Sequence, residues 1–189
     1  MDALLSAFVA CGLAEIGDRS QLLVILLCMR FPGRQGRVLA AAGLAALVST
    51  GIGAAGGAVV HDMVPFRALS LMAALALLSA GIGSLARPKT PKLTVSPRLG
   101  AFAGSLAVLL AAGIGDKTQF LTFALSARSA SPVLAAIGAT LGVLAAAVPA
   151  AMLGRRFVHV VPLRAVRIGI GVVLILAGLG FGLDALRLI

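Results

Sequence analysis

Six apolar segments, at about 3–29, 37–60, 66–86, 99–126, 132–154 and 163–186, take up nearly all of this 189-residue chain. Each is close to or above the ~20 residues an α-helix needs to cross the hydrocarbon core of a bilayer. The stretches that divide them carry Pro, charge or both: Phe31-Pro32-Gly33-Arg34-Gln35-Gly36, His61–Pro65, Arg87-Pro88-Lys89-Thr90-Pro91-Lys92, Ser129–Pro132 and Arg155–Pro162. Pro and Gly in such clusters interrupt helices, so these are boundaries with a mechanism. With 60% hydrophobic residues, 12% charged residues and a mean hydropathy of +1.11, the chain is too apolar for a soluble domain. The pattern predicts an all-α integral membrane protein with six transmembrane helices. Trp and Tyr are absent, which leaves Phe alone to serve as the interfacial aromatic.

The formal net charge is +10. In a soluble protein that would suggest nucleic acid. Here the bases lie between apolar runs, where the cytoplasmic bias of Lys and Arg accounts for them, so no nucleic-acid partner is expected. No cleaved leader is expected either: Asp2 is acidic, no basic residue precedes the apolar run, and the run continues to Met29. Cys11 and Cys28 fall in the same run, ~25 Å apart along a helix, too far for a disulfide. They are read as packing residues.

The chain contains one unit twice. Ile16-Gly17-Asp18-Arg19-Ser20-Gln21 returns as Ile114-Gly115-Asp116-Lys117-Thr118-Gln119, at an offset of 98. Val38-Leu39-Ala40-Ala41 returns at Val133-Leu134-Ala135-Ala136, Pro65-Phe66-Arg67-Ala68 at Pro162-Leu163-Arg164-Ala165, and Gly81-Ile82-Gly83 at Gly178-Leu179-Gly180. The expected organisation is a first three-helix repeat over 1–86, a cytoplasmic linker over 87–98 and a second three-helix repeat over 99–189. Three spans per copy means that the second copy enters from the opposite face, so the repeats are inverted. The connections after spans one, three and five hold eleven bases (Arg30, Arg34, Arg37, Arg87, Lys89, Lys92, Arg98, Arg155, Arg156, Arg164 and Arg167). The other face holds three, Arg67, Arg128 and Arg187, which places both termini outside the cytoplasm.

The two copies of the polar stretch fall near the middle of their spans, where charge is expensive and points to function. Glu15, Asp18 and Gln21 are spaced to share one helical face, as are Asp116 and Gln119. An in-plane pseudo-two-fold would bring the two faces together at the midplane. The meeting point offers three carboxylates, the amides of Gln21 and Gln119 and the hydroxyls of Ser20 and Thr118. Such an all-oxygen, acidic set suits hard divalent cations such as Mn²⁺, Ca²⁺ or Mg²⁺, and these seven residues are the candidate ligands. Metal and protons would compete for the same oxygens. Arg19, four residues after Glu15, is placed to pair with it, and Arg19 and Lys117 are expected to anchor the acids. Gly17 and Gly115 would allow close approach, or would let the helix open so that backbone carbonyls also serve. His61, His159, Asp62 and Asp184 are read as interfacial, and the Gly81/Gly83 and Gly178/Gly180 pairs as packing surfaces.

Glu15-Ile16-Gly17-Asp18-Arg19-Ser20 and Gly113-Ile114-Gly115-Asp116-Lys117-Thr118, one in each half of a six-span chain, resemble the E-x-G-D-(K/R)-(S/T) motifs of the manganese/calcium cation–proton exchanger family. That family includes Golgi and chloroplast members and bacterial manganese exporters. The second motif departs at its first position, where Gly113 stands in place of Glu. The resemblance implies a secondary transporter, not an enzyme, that exports Mn²⁺ (or Ca²⁺) from the cytoplasm against protons, with the motif acids as ligands. It implies residence in a bacterial inner membrane and no prosthetic cofactor; a homo-oligomer is compatible with it. Two other readings stay open at this point: a transporter of another small solute, and an intramembrane aspartyl protease. The second rests on Gly113-Ile114-Gly115-Asp116, which satisfies G-x-G-D, with Asp18 as the partner carboxylate.

Overall fold

The computed structural model describes residues 2–86, 99–129, 131–154, 157 and 162–186. Eight helices account for most of them, and no strand occurs among the described residues. They are α1 (Asp2–Glu15), α2 (Arg19–Arg30), α3 (Gln35–His61), α4 (Phe66–Leu85), α5 (Ala101–Gly113), α6 (Lys117–Ser129), α7 (Pro132–Leu153) and α8 (Leu163–Leu186). The expected linker at 87–98 lies outside the described residues, as do Arg155, Arg156, His159 and Arg187.

The dividers act where the sequence places them. Pro65 precedes α4, and Pro132 opens α7 at a position where its missing N–H costs nothing. Two expected spans, however, are not continuous helices. The run 3–29 breaks at 16–18 into α1 and α2, and 99–126 breaks at 114–116 into α5 and α6, which are bent by 63°. Among the described residues four helices (α3, α4, α7 and α8) are each long and apolar enough to cross a membrane, or five spans when the bent α5–α6 pair counts as one. The physical reason is shared: Gly17 and Gly115 both stand at φ +74°, a left-handed conformation that ends a helix.

The second element set repeats the first in order: a broken pair, a long helix, then a second long helix. The matching long helices pack antiparallel. Thr50 of α3 meets Thr140 of α7 at 2.8 Å, and Gly43 lies against Leu144. Along α4 and α8, Arg67 Nε donates to the Ala185 carbonyl at 3.0 Å, while Gly81 lies against Gly171 at the other end. In an apolar surround the helices gain little from hiding hydrophobic surface, so close packing holds them together. Their backbones approach through glycine. A methyl on Gly53 of α3 would lie 2.6 Å from the Gln119 carbonyl oxygen, and one on Gly81 would lie 2.9 Å from that of Gly171. Methyls on Gly138 and Gly142 of α7 would strike the Leu4 and Phe8 carbonyls of α1. Gly178 packs in the same way against Ala74, whereas Gly83 and Gly180 face open space.

The buried apolar side chains form two main clusters. One joins Ala7, Cys11 and Ala14 of α1 to Leu121 and Leu125 of α6, with parts of α4, α7 and α8. The other joins Leu23, Val24 and Leu27 of α2 to Leu109 of α5, with the start of α3 and the end of α7. The breaks in α1–α2 and α5–α6 fall between them. Leu44, Leu47, Ile52, Val172, Val173 and Leu176 are among the large apolar side chains left facing outward, as a lipid-facing surface requires.

Helix association through glycine gives the first prediction. Gly142→Leu should cost about 3 kcal/mol or more, because backbone atoms of α1 cannot move aside. Gly51→Ala, where nothing lies within 4 Å, should leave stability unchanged or raised. Thermal unfolding of both variants in detergent checks this; equal melting temperatures would contradict the packing.

Candidate metal centre

At each break the chain makes the same turn. The Asp18 N–H donates to the Glu15 carbonyl at 3.1 Å, and the Asp116 N–H to the Gly113 carbonyl at 3.4 Å. Asp18 and Asp116 then each accept the first helical bond of the next helix, from Leu22 and Phe120, both at 3.1 Å. Each Asp thus stands at a helix N-terminus, where the helix dipole favours its negative charge. A broken helix leaves backbone N–H groups without intrahelical partners, which is costly in hydrocarbon unless other groups accept them. Gln21 Oε1 accepts the Gly17 N–H at 2.7 Å, and Gln119 Oε1 accepts the Gly115 N–H at 2.8 Å. Gln21 Nε2 also donates to the Ala146 carbonyl of α7 at 2.7 Å, tying the turn to a neighbouring helix.

The turns bring the three acids together: Glu15, Asp18 and Asp116 each offer a carboxylate oxygen within 4.8 Å of the other two. Glu15 is 3% exposed. It accepts hydrogen bonds from Ser20 Oγ and, at 3.1 Å, from Thr118 Oγ1, which also lies 3.3 Å from Asp116 Oδ2. Lys117 Nζ pairs with Asp18 Oδ1 at 3.0 Å, so the second stretch supplies the counter-charge of the first. With all three carboxylates ionised, the Lys117 ammonium is in salt-bridge contact with one of them. That leaves two negative charges without an ion-pair partner among the described residues, the complement of one divalent cation.

The expected single helical face does not exist, because Glu15 ends α1 and Asp18 precedes α2. They meet through a turn instead. The expected Arg19–Glu15 pair is absent: Arg19 is exposed, and Glu15 takes its hydrogen bonds from Ser20 and Thr118. Gln21 and Gln119 point their amide oxygens at the backbone of the turns. Ser20 and Thr118 do join the acids.

Two cavities border the cluster. One, of about 60 Å³, is lined by Glu15, Ser20, Asp116 and Thr118 together with Ser49, Thr50 and Gly113. One water needs about 10–15 Å³ by this measure, so a small cation and a few waters fit. The other, of about 200 Å³, is lined by Arg19, Ser20, Ala112, Ile114, Gly115 and Asp116. Ser49 and Thr50 are polar neighbours in the middle of an apolar run, but the repeat does not duplicate them, so no sequence pattern marks them as part of the site. Gly113, the position lacking its acid, has its carbonyl bonded by Ser49 Oγ at 2.9 Å, and a methyl there would sit 3.4 Å from that side chain.

The family model for the divalent cation/proton antiporter GDT1 matches residues 3–91 and 101–187. A relative from Vibrio cholerae serotype O1, described as a "putative manganese exporter", is 33% identical over 169 residues, covering 88% of this chain and 84% of the relative. No solved structure matches.

The two turns are not equally enclosed. A methyl on Gly17 would lie 2.7 Å from both Cγ and Cδ of Arg167, while Gly115 has nothing within 4 Å. At the shared φ of +74°, alanine costs about 1–2 kcal/mol at either position. Gly17→Ala should therefore lower the melting temperature distinctly more than Gly115→Ala. Equal losses would show that the Arg167 contact is not rigid.

Proposed function

The chain belongs to the divalent cation/proton antiporter family, and from that premise we propose that it exports Mn²⁺, with Ca²⁺ as a second cargo, from the cytoplasm in exchange for protons. The observation that carries this reading is the convergence of Glu15, Asp18 and Asp116 within 4.8 Å in the interior of a membrane protein. Glu15, Asp18 and Asp116 are the ligands, and Ser20 and Thr118 can turn an oxygen lone pair toward the ion. Oxygen donors alone favour hard cations, and the description of the Vibrio relative favours manganese and outward transport.

The exchange follows from charge. The two uncompensated negative charges are balanced either by one divalent ion or by two protons, and metal binding requires deprotonated carboxylates. Either cargo therefore expels the other. Lys117 holds Asp18 in place while the cation changes, and Gln21 and Gln119 keep the two turns open. Glu15, within 4.8 Å of both Asp residues, and Lys117, paired with Asp18, distinguish the cluster from a proton-sharing protease pair.

For the architecture we infer six crossings as two inverted repeats, 1–86 and 99–189, joined by a cytoplasmic linker at 87–98. The antiparallel pairing of α3 with α7 and α4 with α8 supports the inversion, since an in-plane two-fold axis requires matching helices to run oppositely. Leu22 and Ile25 of α2, Ala150 near the end of α7, Phe157, and Leu163 at the start of α8 cluster together, so the end of α7 and the basic start of α8, with Arg164 and Arg167, lie on one side beside α2. That is the cytoplasmic side of a bacterial inner membrane, with both termini opposite.

Proteoliposomes loaded across a pH gradient test the reading. Asp18→Asn and Asp116→Asn should each cut Mn²⁺ flux by about a hundredfold or more. Mn²⁺ binding should weaken as pH falls, because protons take the ligand oxygens. Unchanged flux in Asp116→Asn would overturn the ligand assignment. Gly113→Glu adds an acid beside Ser49 and should change metal preference or proton coupling; wild-type behaviour would place position 113 outside the site.

A further inference from the structure

A third cavity, of about 330 Å³, lies between the end of α4, the start of α8 and the Gly17 turn. Its polar side chains are Arg164, Arg167 and Ser84, and its apolar walls include Leu22, Leu85, Leu163 and Ile168. We propose that this cavity binds the phosphate group of an anionic phospholipid. The reading is independent of which ion the protein carries.

Arg167 is 8% exposed, although its position near a basic connection reads as an ordinary interfacial charge. Its stem rests on Gly17, and Nη2 donates to the Ala86 carbonyl at the end of α4. A guanidinium carries five donors, and a buried cation needs a counter-charge. The chain cannot supply one here. Of its six acids, Glu15, Asp18 and Asp116 form the metal centre, with Asp18 held by Lys117. Asp62 precedes α4 and Asp184 sits near the end of α8, both at the far end of the α4–α8 pair, and Asp2 begins α1, a whole helix away from Gly17. No further Asp or Glu exists in the sequence.

Arg164 is exposed, and together with Arg167 it presents two guanidiniums to one cavity, the arrangement that recognises phosphate oxygens. The recognised chemistry is a phosphate oxyanion. The walls assign it to a lipid rather than to free phosphate: four aliphatic side chains surround the charged pair, and Ile168 is 45% exposed on the outer surface of the bundle. A headgroup can enter there while its acyl chains stay in the bilayer. Basic pockets between transmembrane helices bind anionic headgroups in this way. Because the Arg167 stem packs on Gly17, the occupied cavity braces the turn that presents Glu15 and Asp18.

The test uses the full chain purified in a neutral detergent, with phosphatidylglycerol, phosphatidylcholine and inorganic phosphate as separate probes. Retained lipid is read by native mass spectrometry and stability by thermal unfolding. Phosphatidylglycerol should be retained in preference to phosphatidylcholine and should raise the melting temperature. Arg164→Gln, at an exposed position that leaves the fold intact, should weaken retention about tenfold, the loss expected for one charge-assisted hydrogen bond. Arg34→Gln, an exposed base outside the cavity, should leave it unchanged. The proposal fails if phosphatidylcholine is retained equally, or if Arg34→Gln weakens retention as much as Arg164→Gln. It also fails if inorganic phosphate alone reproduces the stabilisation, which would identify a free-anion site.

Discussion

Three carboxylates in an apolar interior are the constraint around which this protein is built. An ionised acid among lipid-facing helices costs a few kcal/mol or more unless it is paired, hydrogen-bonded or bound to a cation. The structure answers that cost locally. Each Asp is set at a helix N-terminus, Glu15 receives two hydroxyls, and Lys117 reaches across from the opposite stretch to Asp18. The N-terminal placement of each Asp is not available within an unbroken helix, whose backbone donors are already used. Breaking α1–α2 and α5–α6 is therefore the means by which the acids are accommodated, and the two Gln side chains absorb the backbone donors that the breaks release.

The broken helices are short and would be weak alone, so their neighbours must hold them. Glycine supplies the contact: α7 receives α1 through Gly138 and Gly142, and α3 receives α6 through Gly53 and Gly57. These are backbone-to-backbone approaches, the tightest packing that helices can reach. They bring Cys11 of α1 to within 3.6 Å of Thr122 of α6, one helical turn from Glu15 and Thr118. The placement of the site is thus a consequence of small residues at some distance from it.

The two halves repeat in order but not in detail. The first motif keeps Glu15, and its glycine turn is buried under Arg167; the second has Gly113 in that place, and its turn is exposed. The cavity beside the cluster reaches toward Gly113 and Ser49, where a second Glu would have stood. With Gly113 rather than an acid at this place, the cavity extends to that side of the cluster, and Lys117 crosses from the same stretch to Asp18.

Much of this could be read in the sequence. The apolar runs, their Pro-bearing dividers and the repeated Ile-Gly-Asp stretch located the outer ends of the six runs to within a few residues and all three acids, because length, Pro chemistry and the cost of intramembrane charge act on local sequence. Taking 3–29 and 99–126 as single spans leaves two readings for Gly17 and Gly115, close approach or an opened helix, and the helix opens at both. Periodicity cannot choose between them, because it does not reveal that a side chain four residues on will cap a break. Pairing Arg19 with Glu15 failed for the same reason: helical spacing has no meaning across a turn. Ser49, Thr50 and Arg167 entered the neighbourhood of the site from helices remote in sequence, and no local pattern marks such a neighbour. The sequence alone determined which residues are too costly to bury without purpose. Only the tertiary structure decided which of them meet, because that depends on how closely glycine lets separate backbones approach.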